Sequence, residues 1–425
     1  MLDINFVREN FETAKEGLLK RNIENADEVL NNLVSVDDKR KSTQTELDEI
    51  LAQLNNLSKE IGELFKSGKH AEGNALREKT TELKEKAKEL QEEQNNILAE
   101  LEEALLQVPN VPHKNVPKGK TPEDNEVVRT WGDFPTLAED NELPHWELAT
   151  KYNIFDLELG VKLTGAGFPV FTGKGAKLQR GMINFFLAKA EEAGYTEIVP
   201  PLMVNADSAK ATGQLPDKEG QMYEMKLEQY YMIPTAEVPI TNIYRDEIVE
   251  ENQLPIKLTG YTPCFRREAG SYGAHVRGLN RLHQFDKVEL VQIVHPEKSY
   301  AVLEEMVAHV ESLVQALELP YRVLRLCGGD MGFTSALTYD IEVYSAAQKR
   351  WLEVSSISNF ETYQSNRLKL RYKNNDGKRA LVHTLNGSAL ALPRIMAAML
   401  ENNQTKDGIN IPKALREYVG FDVLK

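Results

Sequence analysis

CFRREAG, residues 264–270, and RGLNRLHQFDKVEL, residues 277–290, read as two strands joined by a loop, and the reading of that hairpin decides the fold. Arg266, Arg267, Glu268, Arg281, Phe285 and Glu289 all fall within this one short window. Guanidinium groups make planar, multidentate hydrogen bonds to phosphate that lysine cannot reproduce, and a ring such as Phe285 offers a face on which a base can stack. Such a hairpin can grip a nucleotide. Alone, it reads more simply as a β-hairpin laced with surface salt bridges.

Three flanking segments carry related chemistry. Upstream, MIPTAEVPITN (232–242) reads as an extended segment, which would point Thr235 and Glu237 to one face, a hydroxyl and a carboxylate that together can receive an ammonium group. Downstream, WLEVSSISNF (351–360) reads as a strand with Glu353 and Ser355 on one face and Ser356 on the other; hard oxygen ligands of this kind suit Mg²⁺. HTLNGSALALPRIMAAMLEN (383–402) reads as a strand, a turn at Asn386-Gly387 and a helix carrying Arg394 in its early part. By contrast, GAGFPVFTGKGAK (165–177) misses the phosphate-loop spacing by one residue and has Gly175 where Ser or Thr belongs. It reads as a glycine-rich connection before a helix.

The chain of 425 residues is long enough for two domains. Its 41% hydrophobic and 27% charged content is that of a globular, water-soluble protein. Residues 1–10 contain Asp3, Arg8 and Glu9 and no apolar run, so they are no secretory signal, and no stretch approaches the ~20 apolar residues of a membrane helix; a cytoplasmic location is expected. Cys264 and Cys327 are too few for a disulfide framework or a thiolate zinc site. A net charge of -14 requires any nucleic-acid binder to concentrate its cations locally.

From about Asp37 to Leu105 proline is absent and Glu, Lys, Gln, Leu and Ala dominate, a long-helix composition. Leu47, Ile50, Leu54, Leu57, Ile61 and Leu64 recur at alternating spacings of three and four. So do Leu76, Thr80, Leu83, Ala87 and Leu90, then Gln94, Ile97, Leu101 and Ala104. These are two coiled-coil seams, broken at Ser67-Gly68-Lys69, so an antiparallel helical hairpin is expected. Lys59, Lys66, Lys69, Arg77 and Lys79 gather toward its far end. Residues 108–126 hold four prolines and can continue neither helix. After Trp131 come strand-like runs without regular βαβ alternation, with helices near 174–193, 297–317 and 388–402. A mainly antiparallel sheet flanked by helices is expected.

The hairpin resembles the second signature motif of class II aminoacyl-tRNA synthetases, and its FRxEAG start and RGL…HQFxKVE finish resemble the seryl-tRNA synthetase family in particular. Residues 177–201, a helix and the strand YTEIVPP, resemble the first motif, whose proline, here Pro200 or Pro201, belongs to a dimer interface; residues 383–402 resemble the third. The resemblance implies an α+β protein with an N-terminal antiparallel coiled-coil arm (1–107), a linker (108–130) and a class II catalytic domain (131–425). It implies ATP-dependent activation of L-serine to seryl-adenylate and transfer of the seryl group to tRNA(Ser) by a cytoplasmic homodimer, with Mg²⁺ as cofactor.

Carried over by position, the serine-binding residues are Thr235, Ala236, Glu237, Arg266, Glu289, Asn386 and Ser388. The ATP-binding residues are Arg266 at the α-phosphate, Glu268 on the adenine side, Phe285 at the ring face and Arg394 at the γ-phosphate, with Arg267, Arg281, Glu353, Val354, Ser355 and Ser356. Arg266, Glu353 and Arg394 are the expected catalytic residues. Glu353 and Ser356 are the expected metal ligands, which requires a local twist at 354–356. Lys59, Lys66, Lys69, Arg77 and Lys79 are the expected tRNA contacts, since the family's arm holds the long variable arm of its tRNA. The sequence departs from the family at Ala274 and His275, where a basic residue followed by Asp is common, and this bears on the tRNA step. A ligase that charges a carrier protein would lack the arm; a catalytically dead scaffold would have lost the motif residues.

Overall fold

The computed structural model describes residues 1–137, 142–268, 273 and 276–425; Ala274 and His275 lie outside the described residues. The chain divides into two compact units. One holds residues 2–19 and 23–109, the other Met1, residues 20–22 and residues 110–425.

In the first unit, short helices α1 (Ile4–Glu9) and α2 (Phe11–Lys20) precede two long ones, α3 (Ala26–Lys66) and α4 (His70–Leu106). The spacing of three and four is the seam along which α3 and α4 pack. Leu47, Ile50, Ala87, Leu90, Ile97 and Leu101 are buried on it, and Leu54, Leu57, Ile61, Leu64, Leu76 and Leu83 are half-buried. The Gln94 amide donates to Gln44 Oε1 across the seam at 3.1 Å, and Lys86 pairs with Glu46 at 2.6 Å. With 41 residues, α3 is about 60 Å long. The chain reverses at Gly68, whose φ of +79° is the left-handed conformation that commonly ends a helix. Beside the turn Phe65 closes the tip: a Cβ on Gly73 would come within 3.0 Å of its ring, and the Arg77 guanidinium carbon lies 4.7 Å from its centroid.

Among the described residues the second unit is built on an eight-stranded sheet. Its strands are β1 (Glu126–Trp131), β2 (Thr196–Glu197), β3 (Ile256–Phe265), β4 (Gln284–Val294), β5 (Tyr321–Arg325), β6 (Leu337–Ser345), β7 (Arg350–Asn359) and β8 (His383–Ala391). They lie in the order β1-β5-β6-β7-β8-β4-β3-β2, antiparallel throughout except for the β3–β2 pair. The helices around the sheet include α5 (His145–Tyr152), α6 (Gly173–Glu192), α7 (Glu237–Asn242), α8 (Ser299–Ala316), α9 (Thr362–Leu368) and α10 (Leu392–Asn402). Helices α6, α8 and α10 pack on one face. There Val288, Leu290, Ile341, Val343, Ile357 and Leu385 meet Leu178, Met182, Met306, Val310, Ile395 and Met399 in the main core.

Two readings of the sequence need correction. Asn386-Gly387 is not a turn, and residues 388–391 are not helical: β8 runs through to Ala391, with Gly387 opposite Leu290 on one side and Ile357 on the other. An Asn-Gly pair signals a turn only where the chain reverses, whereas here the strand is paired on both edges and a Cβ on residue 387 would lie 3.0 Å from Ile357. Nor is 232–242 extended throughout. The strand ends at Met232, and Glu237 opens helix α7 with Pro239 in its first turn, a position where the fixed proline φ suits a helix. The Glu237 amide donates to Thr235 Oγ1 at 3.2 Å.

Candidate active site

On the sheet face opposite the three core helices lies a cleft of about 580 Å³. Strand alternation supplies its floor: Phe285, Lys287 and Glu289 of β4 point into it while Val288 and Leu290 point into the core. Thr338 and Asp340 of β6, Ser356 and Ser358 of β7, and Asn386 and Ser388 of β8 extend the same surface. The expected irregularity in β7 is a bulge: Ile341 pairs with Ser355 but Glu342 with Glu353, leaving Val354 as the extra residue. The bulge resets the alternation, so Glu353 and Ser356 both reach the cleft.

One end of the cleft is a buried polar cluster. The Lys287 ammonium lies 2.5 Å from Glu289 Oε2 and donates to Thr235 Oγ1 at 2.9 Å, and the Thr235 hydroxyl donates to Glu289 Oε2 at 3.1 Å. Beside them Glu237 is buried and accepts from Gln364 Nε2 of α9 at 2.6 Å. Burial, and behind it the charge of Glu289, push the Glu237 carboxyl up to about 7. Ser355 closes this end by donating to the Ser388 carbonyl at 2.7 Å.

The other end is cationic. Arg266 lies with its guanidinium carbon 5.2 Å from the Phe285 centroid, within cation–π range. Its Nε donates to the Pro234 carbonyl at 3.4 Å. Arg281 is ion-paired with Glu268, whose own amide donates to Gln221 Oε1 at 3.0 Å. Arg394 donates from Nε to the Asn280 carbonyl at 3.0 Å and from Nη1 to the Glu353 carbonyl at 2.9 Å, and its Nη1 lies 3.6 Å from Glu353 Oε2. Opposite Glu353 and Ser356, burial and then the Glu353 charge hold the Asp340 carboxyl well above its ordinary value, and its Oδ1 has no hydrogen-bond partner. An orphaned buried oxygen beside a carboxylate and a hydroxyl fits a hard cation such as Mg²⁺. Among the described residues no three His, Cys, Asp or Glu side chains converge as a self-sufficient metal site, so a cation here would also lean on substrate phosphates.

Arg266, Glu353 and Arg394 therefore share one cavity with Thr235, Glu237, Glu268, Arg281, Phe285, Glu289, Val354, Ser355, Ser356, Asn386 and Ser388. Two expected residues do not line it. The Ala236 side chain is buried among Ile240, Leu258 and Val291, and Arg267 is exposed, with its amide donating to the Gln221 carbonyl. Lys287, Asp340, Asn280 and Gln364 went unread. Lys287 was legible, two residues before Glu289 and so on the same strand face; the others come from distant elements. Lys59, Lys66, Lys69, Arg77 and Lys79 are exposed on the helical unit, with Lys69 3.5 Å from Glu72.

Comparison with known proteins agrees with this geometry. Residues 1–112 match the seryl-tRNA synthetase N-terminal domain, and residues 222–403 match the tRNA synthetase class II core domain (G, H, P, S and T). A serine--tRNA ligase of Salinibacter ruber is 53% identical over 423 residues, covering 99% of this chain and 98% of that protein. One of Methylacidiphilum infernorum is 48% identical, covering 98% and 99%. The crystal structure of seryl-tRNA synthetase from Pyrococcus horikoshii complexed with ATP superposes with a TM-score of 0.93 at 32% identity, covering 100% of this chain and 99% of that one.

Proposed function

The chain belongs to the seryl-tRNA synthetase family, and from that premise we propose that its cleft activates L-serine with ATP and passes the seryl group to tRNA(Ser). The observation that carries this reading is the continuity of one cleft from the Thr235–Lys287–Glu289 cluster to the three arginines. Glu237, Glu289 and Thr235 receive the substrate ammonium and hydroxyl, while Asn386 and Ser388 border the side-chain end. Arg266 spans the serine carboxylate and the α-phosphate, Phe285 and Glu268 hold the adenine, and Arg394 takes the γ-phosphate end. Arg281 contributes at the mouth.

A serine carboxylate oxygen attacks the α-phosphorus, the bond to the β-phosphate oxygen breaks and pyrophosphate leaves. The attacking group is already ionised, so the step needs no general base. Alignment and neutralisation of negative charge by Arg266 and Arg394 lower the barrier. Mg²⁺, when held by Glu353 and Ser356, supplies further neutralisation of the phosphates. The terminal ribose hydroxyl of the tRNA then attacks the acyl carbon and AMP leaves. Lys59, Lys66, Lys69, Arg77 and Lys79 contact the tRNA backbone. Val199, exposed at 86% beside Pro200 and Pro201 of the segment that resembles the first motif, supports assembly as a homodimer. The cytoplasm is the compartment where such a reaction meets its tRNA; among the described residues no helix is long and apolar enough to cross a membrane.

Pyrophosphate exchange into ATP, run with each standard amino acid in turn, tests the first step. Serine alone should support exchange, with alanine weaker by ~10⁴-fold because it leaves the pocket's polar groups unpaired. Exchange with another amino acid as efficient as with serine, or no serine-dependent exchange at all, would refute the reading. Aminoacylation of serine tRNA tests the second step and with it Ala274 and His275.

A further inference from the structure

Behind the cationic end of the cleft lies a polar chain that the reaction itself does not use. His145, at the start of α5, and Glu401, near the end of α10, are both completely buried. His145 Nε2 accepts from the Leu279 amide at 2.8 Å, so the ring proton sits on Nδ1, which donates to Glu401 Oε1 at 2.7 Å. The same carboxylate accepts from the His145 amide at 2.9 Å, from Gln348 Nε2 at 2.9 Å and from the Ser345 hydroxyl. Gln348 Oε1 in turn accepts from Asn280 Nδ2 at 2.9 Å. The segment that these groups hold, 278–281, rests on the imidazole so closely that a Cβ on Gly278 (φ +71°) would fall 2.1 Å from Nε2.

The segment then turns its Asn280 carbonyl to Arg394 Nε at 3.0 Å. Arg394 and Glu401 are seven residues apart on α10 and so share a helix face. One helix thus carries both the arginine that reaches the cleft and the carboxylate that fixes the backbone aiming it. We propose that His145 and Glu401 are positioning residues for the nucleotide: they immobilise 278–281 so that the Asn280 carbonyl holds the Arg394 guanidinium toward the triphosphate. The inference rests on the reading of Arg394 as an ATP contact.

Two isosteric fragments separate positioning from mere stability. His145→Gln places an amide oxygen where Nε2 was and can still accept from Leu279. His145→Asn places an amide nitrogen where Nδ1 was, keeping the donor to Glu401 and losing Leu279. In serine-dependent exchange, His145→Asn should raise the KM for ATP roughly five- to ten-fold, the loss of one buried hydrogen bond. Its KM for serine should change less than about two-fold; His145→Gln, which keeps the acceptor for Leu279 and loses the donor to Glu401, should raise the KM for ATP less than His145→Asn does and likewise leave serine within about two-fold. A purely structural role would lower the thermal midpoint of both variants and shift both KM values alike, which overturns the inference. Should His145→Asn fail to fold, Gln348→Met cuts the half-buried bridge to Asn280 and carries the same expectation for ATP; an unchanged KM there overturns it too. Absence of exchange in the unaltered protein would sink the functional reading and this inference together, whereas normal exchange with equal ATP KM in all variants sinks the inference alone.

Discussion

Among the described residues no lysine or arginine lies at salt-bridge distance from Glu237, and its amide neighbour Gln364 contributes a hydrogen bond but no charge. Burial, then the charge of Glu289, raise its carboxyl from 4.5 to about 7. A carboxyl raised on folding stabilises the fold fully below the unfolded value and loses that contribution as pH climbs through the folded one, here a loss of roughly 3 kcal/mol. Glu237→Gln keeps the oxygen that Gln364 needs and removes the titration. The thermal midpoint of the unaltered protein should therefore fall between about pH 5 and about pH 8 more than that of the variant. Serine should reverse the slope, because its ammonium favours the ionised carboxylate: ligand-induced stabilisation should be larger at about pH 8 than at about pH 6. Parallel pH profiles for the two proteins would show that Glu237 does not titrate in this range. The hydroxyl-plus-carboxylate chemistry of Thr235 and Glu237 was legible in the sequence. The way they meet was not, because an alternation rule assumes a strand and Glu237 begins a helix instead.

At the scale of elements, legibility followed periodicity. The arm repeats one packing rule for many turns, so the seam positions Leu47, Ile50, Leu54, Leu57, Ile61 and Leu64 could be assigned from spacing alone. The β7 bulge and the straight run of β8 through Asn386-Gly387 are set by partners far along the chain, Ile341, Glu342 and Leu290, which local sequence does not encode. Because the arm has a core of its own, its stability can be changed without reaching the cleft. Ile50 and Leu90 are 4% and 7% exposed in that core. Ile50→Ala should cost about 2–4 kcal/mol of arm stability. Serine-dependent exchange should hold at its original rate while tRNA charging falls as the arm frays, followed by circular dichroism on warming. Equal loss of exchange and charging would mean that the arm and the catalytic unit do not behave as separate folding units.

For the molecule as a whole, the question is how a chain of net charge -14 binds a polyanion. At physiological ionic strength charges are screened beyond about 8 Å, so the local balance of charge at the arm tip governs. There Lys59, Lys66 and Lys79 are exposed, while Lys69 lies near Glu72 and Arg77 packs over Phe65. Each lysine that meets a phosphate releases a counterion, and affinity then falls with salt by about 0.7–0.9 logarithmic units per contact. Replacing Lys59, Lys66 and Lys79 together by alanine should make tRNA binding weaker at low salt and flatten its salt dependence by roughly two to three units of slope. The serine-dependent exchange rate, which involves no tRNA, should be untouched by the same substitutions. Filter binding or fluorescence titration across a salt series reads the slope directly. An unaltered slope would move the tRNA footprint away from the arm tip, whatever the effect on charging.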